Sequence, residues 1–308
     1  MKVTISGFYD EISFKLDNQL DALKELGETY MCPRTIDGKN IADYTAEEFA
    51  KTVQPKLDAA GIKFSSIGSP IGKVSITDDE GYQKQLVKLA ELVKIAELMD
   101  CKYIRIFSFL LPSYDDPAMY RDEVMKKMRG YLDVVKGSKV ILLHENEKGI
   151  YGNIATRCLD LYQTMDDPQL QLIYDASNFI QCDDDPVAAF ELLKDYVVYY
   201  HIKDCDKETK VEVPVGTGDG NYDYILSELK KRGYEGFMTL EPHTAKYAVL
   251  RRPVYFIPFM PFILAKFYKA FRKIDATLGK KATQKVTRKD VFFIQYDYLN
   301  KLIKEEAN

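Results

Sequence analysis

Short apolar runs alternate with longer amphipathic segments along the whole chain. The runs are rich in Val, Ile, Leu, Tyr and Phe, and several are continuous, which is typical of parallel strands covered on both faces. Between them apolar residues recur at helical spacing, most clearly over Tyr82–Met99. The pattern predicts eight strands, at Val3–Phe8, Thr29–Cys32, Lys63–Ile67, Tyr103–Phe107, Val140–Leu143, Leu170–Tyr174, Val197–His201 and Phe237–Leu240.

The order of these elements predicts the fold class. Eight strands alternating with helices indicate an α/β protein of the (β/α)8 TIM-barrel type, which we predict as a single domain over residues 1–308. A doubly wound open sheet is the alternative, but it needs a glycine-rich turn after the first strand. Here that turn reads GFYDE, with one glycine and two acids. Two helix ends can also be assigned, because Gly27 stops one helix and Thr45 with Glu48 begins another.

The alternation breaks after the eighth strand. Residues 244–289 separate that strand from a final helix at Asp290–Glu305, and Pro253, Pro258 and Pro261 interrupt the apolar stretch there. We predict a helical, basic and aromatic insertion that packs on the barrel or on a second subunit, which makes a homo-oligomer possible. A lid over the barrel mouth and a membrane-surface contact are the alternatives, and the lid is favoured because loops at that face surround barrel active sites.

Composition and charge narrow the class of protein. The hydrophobic content of 46% and charged content of 29% are those of a globular protein, and the net charge of −4 argues against nucleic-acid binding. Charge is uneven, since residues 244–290 hold twelve Lys/Arg and two Asp/Glu. Five cysteines without C-x-x-C spacing and the lack of an N-terminal apolar signal segment predict a reduced, cytoplasmic protein. The sequence contains no run of 18 apolar residues, so we predict no transmembrane segment.

Four polar residues stand at equivalent places in successive strand–helix units. Glu145, Asp175, His201 and Glu241 each lie where a strand turns polar, with gaps of 30, 26 and 40 residues. Because the carboxyl ends of barrel strands face one mouth, the four side chains should converge. Three carboxylates so close would repel each other, and a divalent cation relieves that repulsion. We therefore predict one divalent metal ion, with manganese preferred and magnesium, cobalt, zinc or iron as alternatives.

Five sequence motifs give the chain a family resemblance. They are HENE at 144–147, YDASN at 174–178, HIKD at 201–204, PVGTGDG at 214–220 and GYEGFMTLEPH at 233–243. With them the chain resembles the sugar phosphate isomerase/epimerase superfamily, the xylose isomerase-like barrels that also include tagatose 3-epimerase-type enzymes, inosose dehydratases and endonuclease IV. The resemblance implies that Glu145, Asp175, His201 and Glu241 bind the metal. It also implies that Glu145 and Glu241 exchange the proton as catalytic base and acid.

The resemblance implies a metal-dependent isomerase or epimerase of a sugar or keto-polyol, with proton transfer through an enediolate. A lyase that dehydrates an inosose or cleaves a C-glycoside of a keto-sugar begins with the same proton removal and stays open. A non-catalytic sugar-binding barrel ranks below both, because all four ligands are present. The three histidines of the chain are too few for an endonuclease IV site, and Asn178 stands where many relatives have a histidine.

Further polar residues near the strand ends are candidates for substrate contacts. Arg105 has the alternative of an ion pair inside the barrel, for which Asp10 and Glu11 are candidate partners, and Lys203 has the alternative of a solvated loop charge. The predicted substrate-binding residues are Arg105, Glu147, Asn178, Lys203 and His243.

Overall fold

The computed structural model describes residues 1–243 and 245–307, in which strands and helices alternate. The strands are β1 Lys2–Gly7, β2 Tyr30–Met31, β3 Thr35–Ile36, β4 Lys39–Asn40, β5 Lys63–Phe64, β6 Tyr103–Ile106, β7 Ile141–Glu145, β8 Leu170–Asp175, β9 Val197–Ile202, β10 Asp204–Asp206, β11 Val211–Val213 and β12 Glu235–Leu240. The helices are α1 Leu16–Leu26, α2 Ala46–Thr52, α3 Gln54–Ala60, α4 Asp79–Leu98, α5 Arg121–Val135, α6 Ala155–Met165, α7 Ala176–Gln181, α8 Pro186–Leu193, α9 Tyr222–Lys231, α10 Ala245–Phe256, α11 Met260–Ile263, α12 Ala265–Thr277 and α13 Arg288–Ala307.

Eight parallel strands close into a barrel. Six of them form one sheet in the order β1-β12-β9-β8-β7-β6, and β2 pairs with β5. The β2–β5 pair completes the ring, because Cys32 N–H donates to Gly7 O (3.0 Å) and Ile67 N–H donates to Tyr103 O (2.9 Å). The predicted TIM barrel is therefore confirmed. The strand ends differ from the prediction by up to three residues, since β5 ends at Phe64 rather than Ile67 and β12 begins at Glu235 rather than Phe237. β7 continues two residues beyond the predicted Leu143 and so includes Glu145.

Both predicted helix ends are present. The hydroxyl of Thr45 accepts a hydrogen bond from Glu48 N–H (3.1 Å) at the start of α2. Gly27 ends α1 with a φ of 70°, a left-handed conformation that glycine adopts without steric cost. These local signals agree with the barrel, since each lies on a helix that covers the outside of the sheet.

A polar layer fills the barrel beneath its mouth. The Tyr199 hydroxyl donates to Ser65 Oγ (2.9 Å) and contacts Thr239 Oγ1, and Ser65 in turn bonds the Ser6 hydroxyl (2.6 Å). Tyr199 lies two residues before His201 on the same strand, so both side chains point inward. This buried, hydrogen-bonded layer lies directly below the residues at the barrel mouth.

The chain between β12 and α13 forms three helices with a core of their own. Tyr247, Val254, Phe271 and Ile274 are buried together against Val213 of β11. The prediction that prolines interrupt this segment is confirmed at Pro258, which lies in the break between α10 and α11. It was wrong for Pro253, which lies inside α10. That residues 244–289 are an insertion within a single domain stays a prediction. Within the described chain, each helix is too short or too polar to cross a membrane.

Candidate metal centre

The four predicted ligands meet at the mouth of the barrel. Glu145 ends β7, Asp175 ends β8, His201 lies near the end of β9, and Glu241 follows β12 directly. One ligand atom from each side chain can be chosen so that all four lie within 4.8 Å of one another, and all four residues are buried. The convergence follows from the parallel topology, which points every strand end at the same opening.

Two aromatic rings and one carboxylate fix the imidazole of His201. The rings of Phe8 and Tyr199 meet it edge-on, with centroids at 5.2 and 5.8 Å. Its Nδ1 lies 2.6 Å from Oε1 of Glu145 and 3.4 Å from Oε2 of Glu241. The Nδ1 atom therefore faces the carboxylates, and it is the imidazole atom placed to bind an ion there.

Arg105 holds the same two glutamates from their other side. Its Nη1 lies 3.1 Å from Oε2 of Glu145 and 3.7 Å from Oε1 of Glu241. The guanidinium also donates to the main-chain carbonyls of Ser69 (3.3 Å) and Gly68 (3.1 Å). Each glutamate thus presents one oxygen to His201 and the other to Arg105, which restricts the rotation of both carboxylates.

The alternative of an ion pair for Arg105 inside the barrel is confirmed, but its partners are two of the predicted metal ligands and not Asp10 or Glu11. Arg34 takes these acids instead, at 2.8 Å from Asp10 and 3.5 Å from Glu11, and it also reaches Glu241 at 3.1 Å. A β6 side chain points into the barrel beside β7, whereas Arg34 follows β2 and lies next to the loop after β1. Arg34 is therefore a second cation beside Glu241.

Lys203 is buried at the centre of the site, so the alternative of a solvated loop charge was wrong. Its Nζ lies 3.1 Å from Oδ2 of Asp175 and 3.8 Å from Oε2 of Glu241. Burial alone would lower the pKa of Lys203, but Asp175 and Glu241 outweigh it and raise this pKa well above its usual value. Lys203 is thus a fixed positive charge within the cluster.

The pKa values of the carboxyl groups differ within the site. Burial alone would raise the pKa of Glu145, but His201 and Arg105 outweigh it and lower the pKa to about 2. Burial raises the pKa of Asp175 to about 6, although Lys203 opposes the rise. Glu145 is consequently held as a carboxylate, whereas at Asp175 the nearby charges do not outweigh the effect of burial.

The cluster fits one divalent metal ion. Oδ2 of Asp175 and Oε2 of Glu241 are buried and accept no hydrogen bond from any residue that the structure describes, although the Lys203 ammonium lies near both as an ion pair. Buried carboxylate oxygens without hydrogen bonds carry a high desolvation cost, which an ion would offset. Carboxylate oxygens with one imidazole nitrogen form a donor set that several divalent ions accept, so the set does not select one of them.

The remaining residues predicted to contact the substrate lie at different distances from the metal cluster. His243 Nε2 lies 3.1 Å from Oε1 of Glu241, in a residue whose φ is 48°. Glu147 lies further out, in an ion pair with Lys73 (2.8 Å). Asn178 is buried in α7, which follows Asp175 directly, and its Nδ2 donates to Asn146 O (2.8 Å). Arg105, Lys203 and His243 therefore contact the cluster, and Glu147 lies outside it. The main-chain N–H of Asn178 donates to Oδ1 of Asp175 (3.0 Å), so Asn178 helps to orient this ligand.

Sequence reasoning gave no role to Asn146, which ties two ligand strands together. Its Nδ2 donates to Asp175 O (2.9 Å), and its Oδ1 accepts from Asp175 N–H (3.0 Å). This two-way bridge joins the end of β7 to the end of β8, directly beside Glu145. Its position inside the HENE motif, between two acids, is the signal that could have found it.

The PVGTGDG loop is folded around a single carboxylate. Oδ2 of Asp204 accepts from Gly216 N–H and Gly218 N–H, and Oδ1 accepts from Cys205 N–H and Gly220 N–H, at 2.8–2.9 Å. A Cβ on Gly218 would lie 2.4 Å from Oδ1 of Asp204, so glycine is needed for the close approach. The motif thus has a structural role, which fixes the loop after Lys203.

Known proteins share this architecture. Residues 20–254 match the profile of the xylose isomerase-like TIM barrels. A 3-dehydroshikimate dehydratase from Bacillus anthracis is 22% identical over 256 residues, which span 78% of this chain and 87% of that protein. At this identity the pairwise likeness does not by itself transfer an activity.

Two solved structures illustrate the likeness of fold. A D-allulose 3-epimerase from Methylomonas sp. superposes with a TM-score of 0.68 at 14% identity, over 98% of each chain. A xylose isomerase-like TIM barrel protein from Mycobacterium smegmatis, in complex with magnesium, superposes with a TM-score of 0.62 at 17% identity, over 90% of this chain and 97% of that one.

Proposed function

This chain belongs to the family of xylose isomerase-like TIM barrels, and on that premise we propose that it is a metal-dependent isomerase or epimerase of a sugar or keto-polyol. The reaction would move a proton at the carbon next to a carbonyl group. Glu145, Asp175, His201 and Glu241 would hold one divalent ion, and manganese, magnesium, cobalt, zinc and iron all suit this donor set. Such an ion would polarise the carbonyl group of the bound substrate.

The observation that carries this proposal is the shared placement of Glu145 and Glu241. Both carboxylates contact His201 and Arg105, yet they come from β7 and from the end of β12, which β8 and β9 separate in the barrel. They therefore reach the site from two directions. Two carboxylates so arranged can divide the proton transfer, since one removes the proton from the substrate carbon and the other returns a proton to its opposite face.

The positively charged side chains of the site support these roles of the two glutamates as base and acid. Arg105 fixes the outer oxygens of both glutamates, and Lys203 balances the charge of Asp175 and Glu241. Held in this way, the carboxylates would not need to reorganise when a substrate binds, which lowers the cost of reaching the transition state. His243 and Arg34, both in contact with Glu241, line the approach to it and would contact substrate hydroxyl groups.

A lyase is the second candidate, because the Bacillus anthracis relative is a dehydratase. Elimination of water begins with the same proton removal next to a carbonyl, after which the hydroxyl group on the adjacent carbon leaves. The residues proposed for the first step are the same, so the two reactions differ in the atom that receives a proton next. That atom is a carbon in the isomerase or epimerase, and the oxygen of the leaving hydroxyl group in the lyase.

Incubation with ketohexoses and with inosose in D2O tests the proposal. We expect the metal-loaded enzyme to introduce deuterium at the carbon next to the carbonyl, without loss of water, as read by NMR and mass spectrometry. Loss of water would favour the lyase, and no exchange with any such substrate would contradict both. Glu145→Gln and Glu241→Gln should lose about 10²–10⁴-fold in rate, whereas Glu97→Gln, on the exposed face of α4, should not.

A further inference from the structure

The segment between α10 and α12 exposes an unusual cluster of large apolar side chains. Phe256, Ile257, Phe259, Phe262 and Ile263, which we call the apolar tip, are between 47% and 84% exposed. All five lie within eight consecutive residues. Single exposed apolar residues are ordinary, but a contiguous group of this kind marks a surface that contacts a partner or a membrane.

Hydrogen bonds between α10 and α12 fix the position of the apolar tip. Arg251 of α10 is buried and donates to Oδ1 of Asp275 in α12 (2.7 Å), and the Tyr255 hydroxyl donates to Oδ2 of the same carboxylate (2.8 Å). Two carbonyl groups, of Lys281 and Gln284, accept from the Arg251 guanidinium at 2.5 Å each. Both helices that lead into the tip are therefore fixed to each other, and the exposed side chains project from a hairpin with its own core.

The surroundings of the apolar tip are positive. Residues 244–289 contain twelve Lys/Arg and one acid, and that acid is Asp275, which is buried with Arg251. Arg252 and Lys266 flank the tip, are exposed, and have no acidic partner among the residues that the structure describes. The remainder of the chain carries an excess of acids, so the segment is a distinct positive surface.

We propose that the apolar tip docks this protein on the surface of a bilayer that contains anionic lipids. Phenylalanine and isoleucine side chains would enter the headgroup region, and the flanking cations would meet the lipid phosphates. The helices lie on the surface and do not cross it. The proposal does not depend on the proposed function, because none of these residues belongs to the metal centre.

Charge argues against a second copy of this chain as the occupant. A two-fold interface brings the same patch of both subunits together, so the positive surface around Arg252 and Lys266 would meet an equally positive surface across the contact. Like charges at an interface oppose association. An anionic lipid surface instead suits both features of the patch, namely its exposed apolar groups and the cations for which the described residues supply no acidic partner.

Vesicle flotation with the full-length protein tests the proposal. The wild type should float with vesicles that contain phosphatidylglycerol and remain behind with vesicles of phosphatidylcholine alone. Phe259→Asp with Phe262→Asp should weaken binding more than about tenfold, because two buried aromatic groups are lost. Arg252→Glu with Lys266→Glu should weaken it and reduce its dependence on salt.

A matched control replaces equally exposed apolar residues far along the chain from the tip. Val87→Asp with Met119→Asp changes side chains that are 68% and 74% exposed, and it should bind vesicles as the wild type does. Circular dichroism and thermal unfolding establish that each variant is folded. Wild-type protein that does not bind anionic vesicles, or tip variants that bind as well as the control, would overturn the proposal. Self-association that the tip variant abolishes, without vesicle binding, would assign the patch to a second copy.

Discussion

Oε1 of Glu145 lies 2.6 Å from Nδ1 of His201, at the ends of two strands that β8 separates. The contact places a carboxylate and an imidazole close enough together to bind the same ion, as we propose. It also makes the neighbouring cations important, because Arg105 balances the charge of Glu145 from its opposite oxygen. Several measurable consequences follow from how these buried charges are paired.

Arg105→Met should destabilise the metal-free protein by about 3–5 kcal/mol, because it leaves Glu145 buried without its cation. Added metal should recover part of that loss, since an ion supplies positive charge to the same carboxylates. Urea unfolding with EDTA and with Mn²⁺ measures both effects. A loss below about 0.5 kcal/mol, the range of ordinary surface substitutions, would show that the ion pair does not hold the site together.

Asn146→Ala should weaken metal binding by about 10–100-fold, as the loss of a group that orients ligands does. The reason is that its amide bridges the ends of β7 and β8 through both hydrogen bonds to Asp175. Metal titration of the purified variant gives the affinity, and Asn18→Ala, at an exposed position of α1, is the control. Equal affinities in the two variants would count against a positioning role for Asn146.

Asp204→Asn should destabilise the fold by about 3 kcal/mol, because a carboxamide turns one oxygen that accepts from two N–H groups into a donor. Chemical unfolding gives the free energy, and protease cleavage within residues 214–220 reports the loosening of the loop. Asp223→Asn, exposed on α9, should leave both unchanged. A loop that resists protease as well in Asp204→Asn as in the wild type would refute the account.

The cysteines should react slowly in the folded protein. Burial raises the pKa of Cys101 to about 12 and that of Cys205 to about 12, and it raises the pKa of Cys182 to about 11. Because the thiolate is the nucleophile, a raised pKa leaves these groups protonated near pH 8, and labelling should become faster as the pH increases. Labelling with a thiol reagent, with and without urea, checks this. Complete labelling of the folded chain within seconds at pH 8 would contradict it.

The periodicity of the chain predicted the barrel and the ligand quartet because both depend on strand order. Each strand end is visible where an apolar run turns polar, and the parallel topology then brings Glu145, Asp175, His201 and Glu241 together. The positions of residues along the sequence do not show which of several carboxylates a long Arg or Lys side chain will pair with. That choice depends on barrel radius and side-chain direction, so the partner of Arg105 and the burial of Lys203 could be known only from the structure.

The segment after β12 was harder to predict for a different reason. Proline normally ends a helix, yet Pro253 is accommodated inside α10, where Val254 is buried and Arg251 pairs with Asp275. Contacts between distant residues thus override a local signal. The Arg251–Asp275 pair joins positions far apart in the sequence, and nothing in the local pattern indicates it.

Metal analysis of the purified protein tests the central claim most directly. After loading with Mn²⁺ and exhaustive dialysis, the wild type should retain one divalent ion per chain, as measured by inductively coupled plasma mass spectrometry. Asp175→Asn and His201→Gln should each reduce that content sharply, while the exposed-site variant Glu97→Gln should not. A wild-type protein that retains no ion, or ligand variants that retain as much as the wild type, would contradict the account.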